Sequence, residues 1–281
     1  MVQSFDSPAL IRTLSPMESA VMGWLEAERR KAVTIDDVAE TFPWDREAIR
    51  QVLFRLARKG WLRRTARGRY ETVLAETAGF APPNPWAALA SWIPAHYVAF
   101  QSAAYELGLT PDRPGDVQVA VAVGTKRPTA WAEVPIELAH LRTFSLDGTE
   151  RRDLHGWEIA VATPEKVLSD SALVPGRVGG VRGLARIATR AHDSLDWREA
   201  VRLIDAHPNG LAAMRRLAAL LELLETPVPE PLARRAAHPG QRVRRILLGD
   251  HEFDGSDGEL LEPWNVVANI DAADLREELR R

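Results

Sequence analysis

Basic side chains of this sequence are concentrated in one stretch of 30 residues. Between Trp44 and Val73 there are nine Arg and Lys side chains and three acidic ones, a net charge of +6. The whole chain of 281 residues carries −3, so the remaining residues sum to −9. Guanidinium and ammonium groups gathered on one element of an acidic protein bind phosphate groups and, where they reach base edges, guanine. The stretch therefore predicts a contact with nucleic acid.

The first half of the stretch has the periodicity of an amphipathic helix. Its apolar side chains are spaced i, i+3, i+4 and i+7, which places them on one face: Ile49, Val52, Leu53 and Leu56. We expect Asp45 to cap the beginning of this helix and Gly60 to end it. The polar side chains are left on the outer face.

The second half has the pattern of a β-hairpin. One strand begins at Trp61, and the other contains Tyr70 and Thr72. Gly68 lies in the turn between them, where a positive φ is expected. Upstream, Ser15 and Thr34 have the positions of helix N-caps. Three helices followed by a hairpin indicate a winged helix-turn-helix, whose third helix enters the major groove of double-stranded DNA.

The predicted interface divides into three groups of side chains. The first two turns of a recognition helix normally meet base edges, which predicts base contacts for Arg46, Glu47, Arg50 and Gln51. Phosphate contacts are predicted for Arg55, Arg58 and Lys59. The predicted wing carries Arg63, Arg64, Arg67 and Arg69. Because alternate strand side chains point in opposite directions, not all four can face DNA, and Arg67 and Arg69 are preferred.

The sequence predicts two domains and an α+β fold class. The winged helix is expected over residues 1–75, a Pro-rich linker over 76–85 and a larger mixed α/β domain over 86–281. In the second domain, apolar runs predict strands at 96–99, 117–123, 133–138, 141–146, 157–162, 243–248 and 266–270. Helices are predicted at 86–92, 102–107, 164–173, 181–192, 196–206, 210–225 and 272–281.

The composition excludes several classes of site. Cysteine is absent, which excludes disulfides, thiolate zinc sites and cysteine nucleophiles. There is no run of about 18 apolar residues and no signal-peptide pattern, so we expect a cytoplasmic protein without a membrane span. The seven histidines lack a paired metal spacing such as HxxxH. We therefore expect no metal, no cofactor and no catalytic residues.

The alternative function is a metal-dependent nuclease carried by a winged-helix head. Such an enzyme needs clustered carboxylates and a lysine to hold the metal and activate water. The nearest candidates are Asp147 and Glu158, eleven residues apart. A lysine two places after Glu158 would complete the pattern, but Ala160 occupies that position.

Three segments resemble the AbiEi family, the antitoxins of abortive-infection toxin–antitoxin pairs. They are VLFRLARKGWLRRTARGRYETV in the predicted head, HYVAFQSAAYELGL at the beginning of the second domain, and WEIAVATPEKVLSDSAL followed by VGGVRGLARIA. The resemblance covers residues 15–225, and the last 55 or so residues match nothing in the family pattern.

The resemblance implies a two-domain protein that is not an enzyme. In that family an N-terminal winged helix binds inverted repeats in its own promoter and represses its own operon. The C-terminal domain counteracts a cognate nucleotidyltransferase-like toxin, and the toxin is the enzyme of the pair. The implied partners are promoter DNA and the toxin.

Overall fold

The structure is a computed structural model that describes residues 14–73, 84–131, 134–237 and 244–280. The chain divides into two compact units. The first is Met1–Ile93 together with Lys126–Pro135, and the second is Pro94–Thr125 together with Ile136–Arg281. The predicted leader, residues 1–13, and the part of the predicted linker at 76–83 lie outside the described residues.

The first unit begins with three helices and three strands. The order is α1 (Pro16–Ala27), β1 (Ala32–Thr34), α2 (Ile35–Thr41), α3 (Arg46–Arg58), β2 (Leu62–Ala66) and β3 (Arg69–Thr72). The sheet has the order β1-β3-β2 and is antiparallel throughout. Strand β1 was not predicted, because three residues are too few to show a strand period. The other elements confirm the predicted order of three helices and a hairpin.

Local signals fix the ends of these helices. Ser15 and Glu18 form a capping box on α1, and Thr34 forms one with Asp37 on α2. The Asp45 carboxylate accepts the Ala48 N–H at 2.8 Å and caps α3, as predicted. Gly60, with φ +73°, follows the C-terminal end of α3.

The core of the first unit is built around one face of α3. The four side chains of the predicted stripe are fully buried: Ile49, Val52, Leu53 and Leu56. They pack with residues of α1, α2 and the sheet, namely Val21, Leu25, Val33, Val38, Leu62 and Tyr70. Burial of apolar side chains on all these elements is the main stabilising contribution to the head.

A further segment packs on the free edge of β2. Helix α4 (Pro85–Ala90) belongs to the first unit, as does a short 3₁₀ turn at Thr129–Trp131. The buried Trp131 indole donates to the Thr65 carbonyl at 2.8 Å, and the Ser91 hydroxyl donates to the Thr65 hydroxyl at 2.8 Å. An edge strand otherwise leaves such backbone groups unpaired. The division between units therefore differs from the predicted boundary at residue 86.

Glu18 links α1 to α3 inside this unit. Its carboxylate is fully buried, accepts the Ser15 N–H at 2.7 Å and pairs with Arg55 at 3.0 Å and with Lys59. Burial by itself raises the pKa of Glu18, but the hydrogen bonds from Lys59, Ser15 and Arg55 outweigh it and lower the pKa to about 2. One carboxylate thus closes the beginning of α1 and holds it against the last turns of α3.

We expect Glu18→Gln to lower the free energy of unfolding by about 1–3 kcal/mol, because two cations lose their anionic partner. The folded-state pKa of about 2 lies below the ordinary 4.5, so the contribution is complete above pH 4.5. It is lost as the pH falls from 4.5 towards 2. Thermal unfolding of the full chain across this range measures it. Glu26→Gln, at an exposed position of α1, is the matched control; equal stability of the two variants at pH 7 would contradict this role for Glu18.

A mixed five-stranded sheet forms the centre of the second unit. Its strands are β4 (His96–Val98), β5 (Val117–Ala122), β6 (Ile136–Leu141), β7 (Thr149–Leu154) and β8 (Trp157–Ala162). Their order is β6-β5-β4-β8-β7. Strands β5 and β6 are parallel, as are β4 and β8, whereas β4/β5 and β7/β8 are antiparallel. This confirms the predicted α+β fold class.

Helices of the second unit follow the predictions closely. They are α5 (Phe100–Glu106), α6 (Pro164–Leu173), α7 (Gly180–Ala191), α8 (Trp197–Asp205) and α9 (Gly210–Leu223). Helix α10 (Glu230–Ala236) was not predicted. The prolines on either side of Glu230 suggested a break, but they occupy the cap and the first turn, where proline is tolerated.

The sheet differs from the prediction in two ways: one predicted strand is absent, and one observed strand was not predicted. The apolar residues at 141–146 do not form a strand, because β6 ends at Leu141 and the chain then turns. The missed strand is β7, whose sequence TERRDL shows no apolar alternation. It lies at the edge of the sheet, where four consecutive residues are exposed. An edge strand exposed on both faces needs no apolar residues, so pattern alone cannot find it.

A buried ion pair lies between the sheet and α6. Asp170 accepts from Lys166 Nζ at 2.8 Å and from the Tyr97 hydroxyl at 2.9 Å. Burial raises the pKa of Asp170, against the lowering effect of these two donors. Burial and the neighbouring Asp170 charge also raise the pKa of the Tyr97 hydroxyl. Because every member is hydrogen-bonded, the network fixes α6 on strand β4.

The last part of the chain is integrated into the second unit. It contains β9 (Ile246–Leu247), α11 (His251–Asp254), β10 (Glu259–Leu261), β11 (Val266–Ala268) and α12 (Ala272–Arg280). The buried Arg215 of α9 donates to the carbonyls of Arg244, Trp264 and Asn265. This guanidinium ties the small sheet β10-β11-β9 to α9.

Candidate nucleic-acid interface

The outer face of α3 is polar and exposed. Away from the buried stripe it presents Glu47, Arg50, Gln51, Phe54 and Arg58, all of them exposed; Arg46 is also exposed, at the first turn, but lies closer to the stripe. Because the stripe fixes the rotation of the helix about its axis, these side chains have one possible orientation relative to the core. Three of the four predicted base-contact residues, Glu47, Arg50 and Gln51, lie on this face.

A groove of about 870 Å³ separates α3 from the hairpin. We call it the wing groove. Its lining comes from α3, the beginning of α2, the hairpin and residue 93: Thr34, Ile35, Asp36, Arg46, Glu47, Arg50, Gln51, Phe54, Arg64, Arg67, Gly68, Arg69, Tyr70 and Ile93. The lining has five arginines and two acids. The groove therefore gathers cationic groups from two elements around one cleft.

The hairpin divides its arginines between two sides. Arg64, Arg67 and Arg69 line the wing groove. Arg63 does not; it pairs with the buried Glu71 at 3.0 Å, and burial raises the pKa of that carboxyl against the opposing charge of Arg63. This agrees with the expectation that the four wing arginines cannot share one face. Gly68 has φ +72° between Arg67 and Arg69, as predicted.

Two acids in the wing groove pair with predicted base readers. Arg46 bonds to Asp36, and Arg50 bonds to Glu47 at 3.0 Å. All four side chains are more than half exposed. Exposed pairs of this kind stabilise a protein by about 0–1 kcal/mol, so the pairing leaves both guanidinium groups accessible to another anion.

The predicted phosphate contacts lie in different surroundings. Arg55 and Lys59 bind the buried Glu18 and therefore have a structural role within the head. Arg58 is exposed and lines a second groove of about 440 Å³, together with Arg63 and Arg64. Arg58 is the member of the three that lines this groove beside the hairpin.

Sequence reasoning missed Phe54. This side chain is 55% exposed and lines both grooves. An apolar residue in an amphipathic helix is ordinarily assigned to the core. In the sequence, Phe54 differs from the core residues only in lying one position after Leu53 of the buried stripe. Ile93 was missed for another reason, because it lies far along the chain from the hairpin.

The structure does not bring the candidate nuclease carboxylates together. Glu158 on β8 lies opposite Asp153 in the backbone register of the β7–β8 hairpin. Asp147 precedes the other end of β7. The intervening strand from Thr149 to Asp153 alone spans about 13 Å. Asp147 binds Arg202 at 2.8 Å, which lowers the pKa of that carboxyl. Among the described residues no group of three His, Asp or Glu side chains is placed to hold a metal ion.

The fold has three helices and a three-stranded antiparallel sheet in its N-terminal part and a mixed α/β second unit. No family model matches the chain. A comparison with curated proteins finds no match either. Among solved structures, the chain is similar to the crystal structure of RV2827C protein from Mycobacterium tuberculosis, with a TM-score of 0.68 and 19% identity. The alignment covers 98% of this chain and 99% of that one. At this identity the likeness concerns the fold of the whole chain.

No helix within the described ranges is both long and apolar enough to cross a membrane.

Proposed function

We propose that the chain is a sequence-specific double-stranded DNA-binding protein that represses its own promoter. The observation that carries the proposal is the wing groove, where the outer face of α3 meets three arginines of the hairpin. The charge of the chain supports it, since residues 44–73 are strongly basic in an acidic protein. A protein with this distribution attracts a polyanion to one surface and repels it elsewhere.

The proposed complex places α3 in the major groove. The helix has 13 residues and is therefore about 20 Å long, and the major groove is about 12 Å wide and admits one helix. Arg50 reads guanine O6 and N7, and Gln51 reads adenine. Arg67 and Arg69 at the tip of the wing neutralise phosphates, which sets the register without reading sequence.

The ion pairs of the wing groove fit this role. Arg50 exchanges the Glu47 carboxylate for a guanine edge, and Arg46 exchanges Asp36 for DNA. Because these pairs are exposed, breaking them costs little. Arg55 and Lys59 are different, since removing them from Glu18 leaves a buried carboxylate unpaired. We therefore assign the phosphate contacts to Arg58, Arg64, Arg67 and Arg69.

We further propose that the chain is the antitoxin of a toxin–antitoxin pair whose toxin is nucleotidyltransferase-like. This rests on the resemblance of residues 15–225 to the AbiEi family. The second unit, with its own sheet and its buried network around Asp170, is the body that counteracts the toxin. The operator of such a protein is an inverted repeat, and each half-site binds one head.

We expect the chain to bind the DNA directly upstream of its own coding sequence more tightly than scrambled DNA of equal length. Binding should weaken steeply as salt rises, because each neutralised phosphate releases counterions. Fluorescence anisotropy at several salt concentrations measures both effects. Equal affinity for the two duplexes would show that the basic surface binds DNA without sequence specificity. Absence of binding to either duplex would refute the proposal.

We expect Arg50→Ala and Arg67→Ala to weaken binding in different ways. Loss of a base reader should cost about 1–3 kcal/mol on the preferred sequence and relax the preference at one base pair. Loss of a phosphate contact should weaken binding to all sequences alike and reduce the salt slope by about one. Arg190→Ala, at an exposed position of α7, is the matched control. Identical, sequence-independent losses in both variants would contradict the assignment.

We expect that mutation can abolish repression of the promoter without abolishing neutralisation of the toxin. A full-length chain with Arg67→Ala and Arg69→Ala should fail to repress a reporter under its promoter but still restore growth of cells that express the cognate toxin. Both arginines belong to the first unit. Growth and reporter assays of the two proteins expressed together measure this. If the wild-type chain does not restore growth, the antitoxin role fails while the DNA-binding role stands.

A further inference from the structure

Phe54 is an apolar side chain on an otherwise polar surface. It is 55% exposed, whereas the aliphatic residues of α3 on either side of it, Leu53 and Leu56, are fully buried. Single exposed apolar residues are common on protein surfaces. This one differs in its position, because it lies among arginines on the outer face of the helix and borders two grooves.

The helical period places Phe54 at the centre of the proposed interface. It follows Arg50 by four residues and precedes Arg58 by four, so it lies one turn from each on the same face. Gln51 is three residues before it. Phe54 therefore stands between the residues proposed to read bases and the residue proposed to contact phosphate.

We propose that Phe54 contacts the C5-methyl group of a thymine in the major groove and so selects a T·A pair in the operator. This inference rests on the proposed DNA-binding function. The thymine methyl is the apolar group that base edges present in the major groove. A phenyl ring on the outer face of α3 meets that group when the helix docks, and their contact removes apolar surface of both from water.

The geometry also predicts where the thymine lies. Side chains one helical turn apart are about 5–6 Å from each other, and successive base pairs along one strand are 3.4 Å apart. The selected T·A pair is thus one or two base pairs from the base read by Arg50 or Gln51.

The test replaces each thymine of the preferred duplex, one at a time, by deoxyuridine, which lacks only the methyl group. For the wild-type chain we expect one position per half-site at which affinity falls about fourfold, the value of one buried methyl-sized group. For the Phe54→Ala variant, replacing this thymine by deoxyuridine should no longer change the affinity. Phe54→Leu, which keeps an apolar side chain, should retain part of the discrimination.

The matched control is Phe253→Ala, which removes an 84% exposed phenyl ring from α11. It should leave both affinity and the uracil effect unchanged. Because Phe54 is exposed, its replacement by Ala should preserve the thermal unfolding of the head. If that variant unfolds, the wild-type substitution scan and Phe54→Leu still decide the question.

Several outcomes would overturn the inference. Wild-type binding that is sequence-selective but indifferent to uracil at every position would refute it and leave the DNA-binding function intact. A uracil effect that persists in Phe54→Ala would assign the methyl contact to another side chain. A change in sedimentation of the free protein on replacing Phe54 would assign the ring to a contact between copies. If the wild-type chain showed no sequence selectivity at all, the proposed function itself would be refuted.

Discussion

The complete burial of one face of α3 is the constraint on which the head depends. Ile49, Val52 and Leu56 leave the helix no freedom to rotate about its axis, because any rotation would bring apolar side chains into water. Glu18 adds a second constraint near the C-terminal end, through its bonds to Arg55 and Lys59. The buried side chains of α3 therefore determine which of its side chains are exposed, and so determine the composition of the proposed interface.

Much of the head could be predicted because its signals are local. The stripe of α3, the Asp45 cap and the turn at Gly68 each depend on residues within a few positions of one another. Such signals survive in a single sequence, since propensity and periodicity act over one or two turns. The base-contact candidates Arg50 and Gln51 were found in the same way, as residues of the face opposite the stripe.

Other features could not be predicted because they depend on distant residues. Glu18 lies 37 and 41 positions before Arg55 and Lys59, and its N3 position indicated only a helix cap. The two cations, predicted to contact phosphates, have a partner inside the head that the sequence alone does not indicate. Strand β7 was missed because a solvent-exposed edge imposes no apolar pattern. Phe54 was missed because exposure of an apolar residue is a property of the tertiary structure.

The return of the chain to the first unit has a consequence for how the head is made. Residues 94–125 belong to the second unit, and residues 126–135, which follow them in the chain, belong to the first. The carbonyl of Thr65 on the edge of β2 acquires its indole donor only when Trp131 has been synthesised. The first unit is therefore not one continuous N-terminal segment: its buried Trp131 is translated after the first two strands of the other unit, β4 and β5. The segments of the two units alternate along the chain, so no single cut separates them into intact halves.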